Sequence, residues 1–259
     1  MVEEKKQKRS TNYKVKKSRG EEMKYNNNKI TALLLAVSVL TLAGCAQGPY
    51  ETREESVSGF NRVSIETYGE VLISQGSEES LSIEAPRDYL RYITSEVTDG
   101  TLNIKTRRGF VGSPVQRVTY TLTVKDLNEV SFSGAGSIKV FSLKTNDFKV
   151  NLTGAGSIEM DDLKADTLVV NLTSAGAVVI AGNVETQDIN LSGVGSYEGG
   201  DLRSDEAKIQ LTGAGSAVVW AENKLDVNIS GVGSVAYFGD PEVTQNISGL
   251  GSVNSKGKH

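Results

Sequence analysis

Asn151-Leu152-Thr153-Gly154-Ala155-Gly156-Ser157 decides the fold, because the chain repeats it. Variants begin at Ser131 (SFSGAGS), Asn171 (NLTSAGA), Asn190 (NLSGVGS), Gln210 (QLTGAGS), Asn228 (NISGVGS) and Asn246 (NISGLGS). The fourth positions are Gly134, Gly154, Ser174, Gly193, Gly213, Gly231 and Gly249, spaced 20, 20, 19, 20, 18 and 18. Seven copies at that regularity read as a solenoid.

Each copy carries its own structural instructions. Before the turn, apolar residues alternate: Phe148, Val150, Leu152; Leu168, Val170, Leu172; Ile189 with Leu191; Ile209 with Leu211; Val227 with Ile229. Period two means a strand with these side chains on one side. Lys149, Asn151 and Thr153 then face the other way. The Gly-Ala-Gly core breaks the strand and lets coils stack closely at a corner. A second strand follows, as in Ile158 with Met160 or Val235 with Tyr237. The expected fold is all-β: a right-handed parallel β-helix, or β-solenoid, with 18–20 residues per coil. Phe132, Leu152, Leu172, Leu191, Leu211, Ile229 and Ile247 should stack inside it. No continuous six-residue period supports a left-handed hexapeptide helix. The Ca²⁺-binding nonapeptide is also missing, so no calcium ladder is implied.

Residues 56–130 alternate too, as in Val63 with Ile65, Leu102 with Ile104, and Tyr120, Leu122, Val124. They read as an N-terminal β-rich cap and first coils, one continuous domain with the repeats at 131–253. Arg87–Tyr92 reads as one helical turn. Several segments carry a family resemblance. They are Ser58-Gly59-Phe60-Asn61-Arg62-Val63, Gly69-Glu70-Val71-Leu72-Ile73-Ser74-Gln75-Gly76 and Val97-Thr98-Asp99-Gly100-Thr101-Leu102-Asn103-Ile104, followed by the Ser-Gly-Ala-Gly-Ser repeats. Over about residues 56–253 the chain resembles the bacterial head GIN domain family, named for "putative auto-transporter adhesins". The resemblance implies a right-handed β-helix, a lipoprotein form and an adhesive role. It supplies no catalytic residues.

The N-terminus reads as an export signal over residues 1–44. Ten Lys/Arg fall in residues 1–29, and an uncharged apolar run extends from Ile30 to Gly44. Fifteen residues are too few to span a bilayer, which needs about 20. A basic flank, a short apolar stretch and small residues at its end make a secretory signal. Leu42-Ala43-Gly44-Cys45 resembles the bacterial lipobox, which implies a lipid on the Cys45 thiol after cleavage before it. Met23 opens a cleaner signal than Met1, so translation is expected to start there and leave out 1–22. Residues 45–55 then read as a lipidated, flexible tether.

Charge and composition exclude several classes. Residues 1–44 hold ten of the 28 Lys/Arg and four of the 32 Asp/Glu, so the remainder carries net −10. An acidic surface argues against nucleic-acid binding. Cys45 is the only Cys and His259 the only His, which speaks against His triads, disulfide frameworks and Cys- or His-ligated metal. No cofactor is implied.

The remaining motifs have plain structural readings. Five Asn-x-Ser/Thr sites (Asn151, Asn171, Asn190, Asn228, Asn246) follow from the repeat and suit coil-to-coil hydrogen bonds better than glycosylation. Ser133, Thr153, Thr173, Ser192, Thr212, Ser230 and Ser248 form a hydroxyl array. Glu159, Asp161, Asp162 and Asp166 are the candidate carboxylate cluster. Trp220 with Tyr197 or Tyr237 is a candidate aromatic sugar platform, although Tyr237 alternates with the inward set. The expectation is a non-enzymatic, lipid-anchored protein of the bacterial cell envelope, on the extracytoplasmic side. Its partners would be the membrane, through its lipid, and a glycan or surface-protein ligand. Self-association through the solenoid ends is also open. The alternatives are a carbohydrate-active β-helix enzyme and a structural or signalling partner of other envelope proteins.

Overall fold

Alternation builds strands throughout, and their pairing turns them into a solenoid. The computed structural model describes residues 49–107, 109 and 117–259. Cys45, Leu42, Ala43, Gly44 and the rest of the expected signal lie outside the described residues. The first coil is β2 (Arg62–Glu66) and β3 (Tyr68–Gln75). The repeats supply β8 (Glu129–Phe132), β9 (Ala135–Val140), β10 (Leu143–Lys144) and β11 (Asp147–Leu152). Four long strands follow: β12 (Ala155–Leu172), β13 (Gly176–Leu191), β14 (Ser196–Leu211) and β15 (Ala214–Ile229). Each completes one coil, bends and begins the next. β16 (Val232–Phe238), β17 (Glu242–Ile247) and β18 (Leu250–Ser255) finish the stack. The result is a β-solenoid of about six turns with parallel coils.

The register follows the repeat. Phe132, Leu152, Leu172, Leu191, Leu211, Ile229 and Ile247 pair in succession. All but the last are buried, and each contributes about 1.5–3 kcal/mol. Ile247 departs from the expected inward set, with 37% of its surface exposed. No further described coil covers it.

Residues 76–128 break the simple stacking order. They form β4 (Ser80–Pro86), α1 (Arg87–Leu90), β5 (Ile93–Thr98), β6 (Thr101–Thr106) and β7 (Thr119–Val124). β2 lies between β6 and β8, and β3 lies between β7 and β9. The coil made by β6 and β7 therefore stacks outside the first coil, although it comes later in the chain. β4 adds antiparallel to β7, and β5 antiparallel to β6, which closes this end.

The expected flexible tether at 45–55 needs correction over its second half. Tyr50–Glu55 is a strand, β1, antiparallel to β4. Arg53 holds it there, donating to the carbonyls of Leu90 (2.7 Å) and Ile93 (3.0 Å). Its charges suggested a spacer, but charge on an edge strand also guards that edge against pairing with another chain.

Close stacking restricts two kinds of position to glycine. At the corners, a Cβ on Gly213 would lie 2.0 Å from the Gly193 carbonyl oxygen. At Gly182, φ is +132° and a Cβ would lie 2.1 Å from Leu163 O. Gly182 sits where the 19-residue coil loses a residue against its neighbour. Ser174 is the one corner without this glycine. Its hydroxyl donates to Leu152 O (3.4 Å), where Gly213 uses its amide on Leu191 O (3.3 Å).

Candidate functional site

Parallel register turns a repeated residue into a surface row. On the outer face of β2, β6, β8, β11, the second halves of β12–β15 and β17, one row runs from Asn103 through Ser64, Ser131, Asn151, Asn171, Asn190, Gln210 and Asn228 to Asn246. Adjacent positions are about 4.8 Å apart. The amides bond along the stack: Asn151 Nδ2 to Ser131 Oγ (3.0 Å), Asn171 Nδ2 to Asn151 Oδ1 (2.9 Å) and Asn190 Nδ2 to Asn171 Oδ1 (3.2 Å). Such chains polarise and stiffen one another.

The neighbouring row carries charge: Arg62, Glu129, Lys149, Val169, Asp188, Lys208, Asp226 and Thr244. The charged positions alternate in sign along the stack. Beside it opens a shallow cleft of about 240 Å³, lined by Thr186, Asp188, Glu206, Lys208, Lys224 and Asp226 among others. Lys208 Nζ lies 3.9 Å from Asp188 Oδ2 within it.

The corners form another repeating surface. Ser133, Thr153, Thr173, Ser192, Thr212, Ser230 and Ser248 are all exposed. Two residues further on, Ala135, Ala155, Ala175, Val194, Ala214, Val232 and Leu250 are exposed as well. That row becomes more apolar toward the C-terminal end, where Leu250 is 78% exposed.

Only two of the four candidate acids converge, and they do so on a lysine. Lys139 Nζ bridges Glu159 Oε1 (3.0 Å) and Asp161 Oδ1 (3.1 Å), and those hydrogen bonds hold its ammonium above the ordinary range, Glu159 most. Asp162 pairs with Lys164 instead, at 3.0 Å. The Asp166 amide donates to Asn146 O at 2.8 Å.

The expected aromatic platform is also rearranged. Tyr197 is fully buried and donates to Gln187 Oε1 at 2.9 Å. Tyr237 is half-buried against the core. Trp220 is partnered in register by Phe238. The repeat held the signal for both. Tyr197 occupies the inward position of Ile138, Ile158 and Val178, whereas Phe141, Trp220 and Phe238 share an outward one.

Inside, Gln187 Nε2 donates to Ser204 Oγ (2.8 Å) and Trp220 O (3.3 Å), and Ser204 Oγ donates to Trp220 O (2.7 Å). Sequence reasoning missed this buried network. Its signal was Gln187 standing where Phe148, Leu168 and Leu225 stand in other coils.

Known proteins share this fold. The family described as "putative auto-transporter adhesin, head GIN domain" matches residues 59–241. A "putative adhesin" from Bacteroides fragilis NCTC 9343 is 26% identical with a TM-score of 0.78, covering 80% of this chain and 97% of that one. A "putative lipid binding protein" from Parabacteroides distasonis ATCC 8503 is 26% identical with a TM-score of 0.64, at 80% and 97% coverage. A "putative adhesin" from Parabacteroides merdae ATCC 43184, 22% identical with a TM-score of 0.60 at 80% and 96% coverage, shares the fold. No curated protein matches the chain. The matched stretch starts just before the first coil and takes in every corner repeat but the last, so this chain belongs to the head GIN domain family.

Proposed function

We propose that this protein is a non-enzymatic, lipid-anchored adhesin of the bacterial envelope. Cys45 carries the lipid, and the solenoid presents its polar rows to a glycan or surface-protein ligand. The observation that carries the reading is the in-register amide row from Asn151 to Asn246. A rigid face with one donor–acceptor group per coil suits a ligand that itself repeats. Family membership supports a cell-surface or envelope position. Several acyl chains, at about 0.8 kcal/mol per buried CH₂, would hold the protein on a membrane stably.

The test is a glycan and matrix-protein binding array with the lipid-free fragment 46–259. Selective retention of one ligand class is expected. Array-wide silence, with a specific envelope protein recovered instead, would replace adhesion by a structural or signalling role. A second reading has one observation in its favour. The cleft lined by Asp188, Glu206 and Asp226 sets carboxylates on three adjacent coils, as a carbohydrate-active enzyme would. Release of reducing ends from a bound glycan would select that reading.

A further inference from the structure

We propose that Trp220 and Phe238 form a binding shelf for a neutral saccharide, normally covered by the chain's own 256–259 segment. This deepens the adhesive reading and rests on it. The two rings stand one coil apart at the same register position. Gly200 leaves room beside Phe238: a Cβ there would come within 3.3 Å of both the Phe238 ring and Val218.

The shelf is fixed from both sides. From inside, Ser204 and Gln187 hold the Trp220 carbonyl. From outside, Trp220 Nε1 donates to Glu222 Oε1 (3.1 Å), and Arg203 Nε lies 3.4 Å from the same oxygen. The indole is therefore oriented in advance, which lowers the cost of ordering a ligand against it.

The present occupant shows what the shelf accepts. The His259 ring stacks on Trp220 with centroids 4.1 Å apart and planes 4° apart. Its edge meets the Phe238 ring at 5.0 Å and 70°. Its Nε2 lies 3.3 Å from Asp201 Oδ1. A flat ring thus rests on an aromatic face while a polar group at its rim reaches a carboxylate. A pyranose offers the same pair of features: an apolar C–H face for the indole and hydroxyls for Asp201, Glu222 and Arg203. Lys256 leaves with the cover, so Asp201 and Glu222 then face Arg203 alone, and a neutral sugar fits where a phosphate or sulfated glycan would be repelled.

The cover is lightly held. Lys256 N donates to Tyr237 O (2.8 Å), Gly239 N donates to Gly257 O (3.0 Å), and Lys256 Nζ sits 5.4 Å from the Phe238 ring centre. A ligand must displace His259, so its apparent affinity is reduced by the fraction of molecules that are covered.

Trp220 is the only tryptophan, so tryptophan emission, excited selectively over tyrosine, reports this site alone. The fragment 46–259 is titrated with cellotetraose and with chitotetraose, following emission and, separately, heat. The wild type should bind one of them with a change in emission. His259→Gly should bind it about tenfold more tightly. Phe238→Ala should bind it at least about tenfold more weakly with an unchanged far-UV CD spectrum. No spectral change and no heat with either sugar, in wild type and His259→Gly alike, would overturn the shelf. Array binding that persists undiminished in folded Trp220→Ala would also overturn it, while leaving the broader adhesive reading intact.

Discussion

Gly199 carries no side chain because Tyr197 occupies the space, a Cβ there falling 2.6 Å from the Tyr197 hydroxyl. Ala207 and Ala217, small and buried in the next coil, make room beside Gln187 and Tyr197. A phenol and an amide thus enter the core side by side, with the Tyr197 hydroxyl donating to the Gln187 carbonyl oxygen. Burial pushes the Tyr197 hydroxyl above its ordinary value, raises Tyr120 in the same way, and is the main cause that pushes Tyr68 up to about 12. An unfolded phenol ionises near pH 10. The neutral, folded form is thus favoured in full below about pH 10, and that stability is lost as pH rises toward the folded values. Urea midpoints should fall steeply above about pH 10, and Tyr197→Phe should flatten the fall. An identical slope in the mutant would show that Tyr197 does not contribute.

At the scale of strands, position along the stack decides what a substitution costs. Leu172 is fully buried between Leu152 and Leu191, whereas Ile247 has a neighbour on one side, Ile229. Leu172→Asp puts a carboxylate where nothing solvates it, and should cost at least about 3 kcal/mol. Ile247→Asp, half in water, should cost about 1 kcal/mol or less. Thermal melts of the two variants compare them, and equal shifts would contradict a stack with an open end. The Leu172 ladder could be read from the repeat alone, because period two and a fixed coil length specify both its face and its partners. β1 could not be read that way. Its alternation is charged, and its place on β4 depends on Arg53 reaching carbonyls 37 and 40 residues away.

The whole molecule has two unlike ends. The N-terminal end is closed by antiparallel β4 and β5, with charged β1 on its outer edge. Among the described residues, β17 and β18 pair only with β15 and β16, and their side chains are mostly exposed. A solenoid opens locally where its interfaces are fewest. Hydrogen exchange should therefore be fastest at β17 and β18 and slowest across β12–β14. Uniform protection along the stack would mean that it unfolds as one unit.

The repeat by itself determined the coil length, the inward ladder and the outward amide and hydroxyl rows, and with the segments at 58–63, 69–76 and 97–104 it also carried the family resemblance. Each is a local pattern that stacking only copies. Tertiary structure decided three things. It set the order of the first coils, because β6 and β7 add to the outer side of β2 and β3 rather than continuing the stack. It set the Tyr197 hydroxyl against the Gln187 amide, because a neighbouring coil left room for both. It brought Gly200, Trp220, Phe238 and His259 together at one corner. The last two sets of contacts join residues 10 to 39 positions apart, and they depend on which side chains meet and on free volume, which a linear period does not encode.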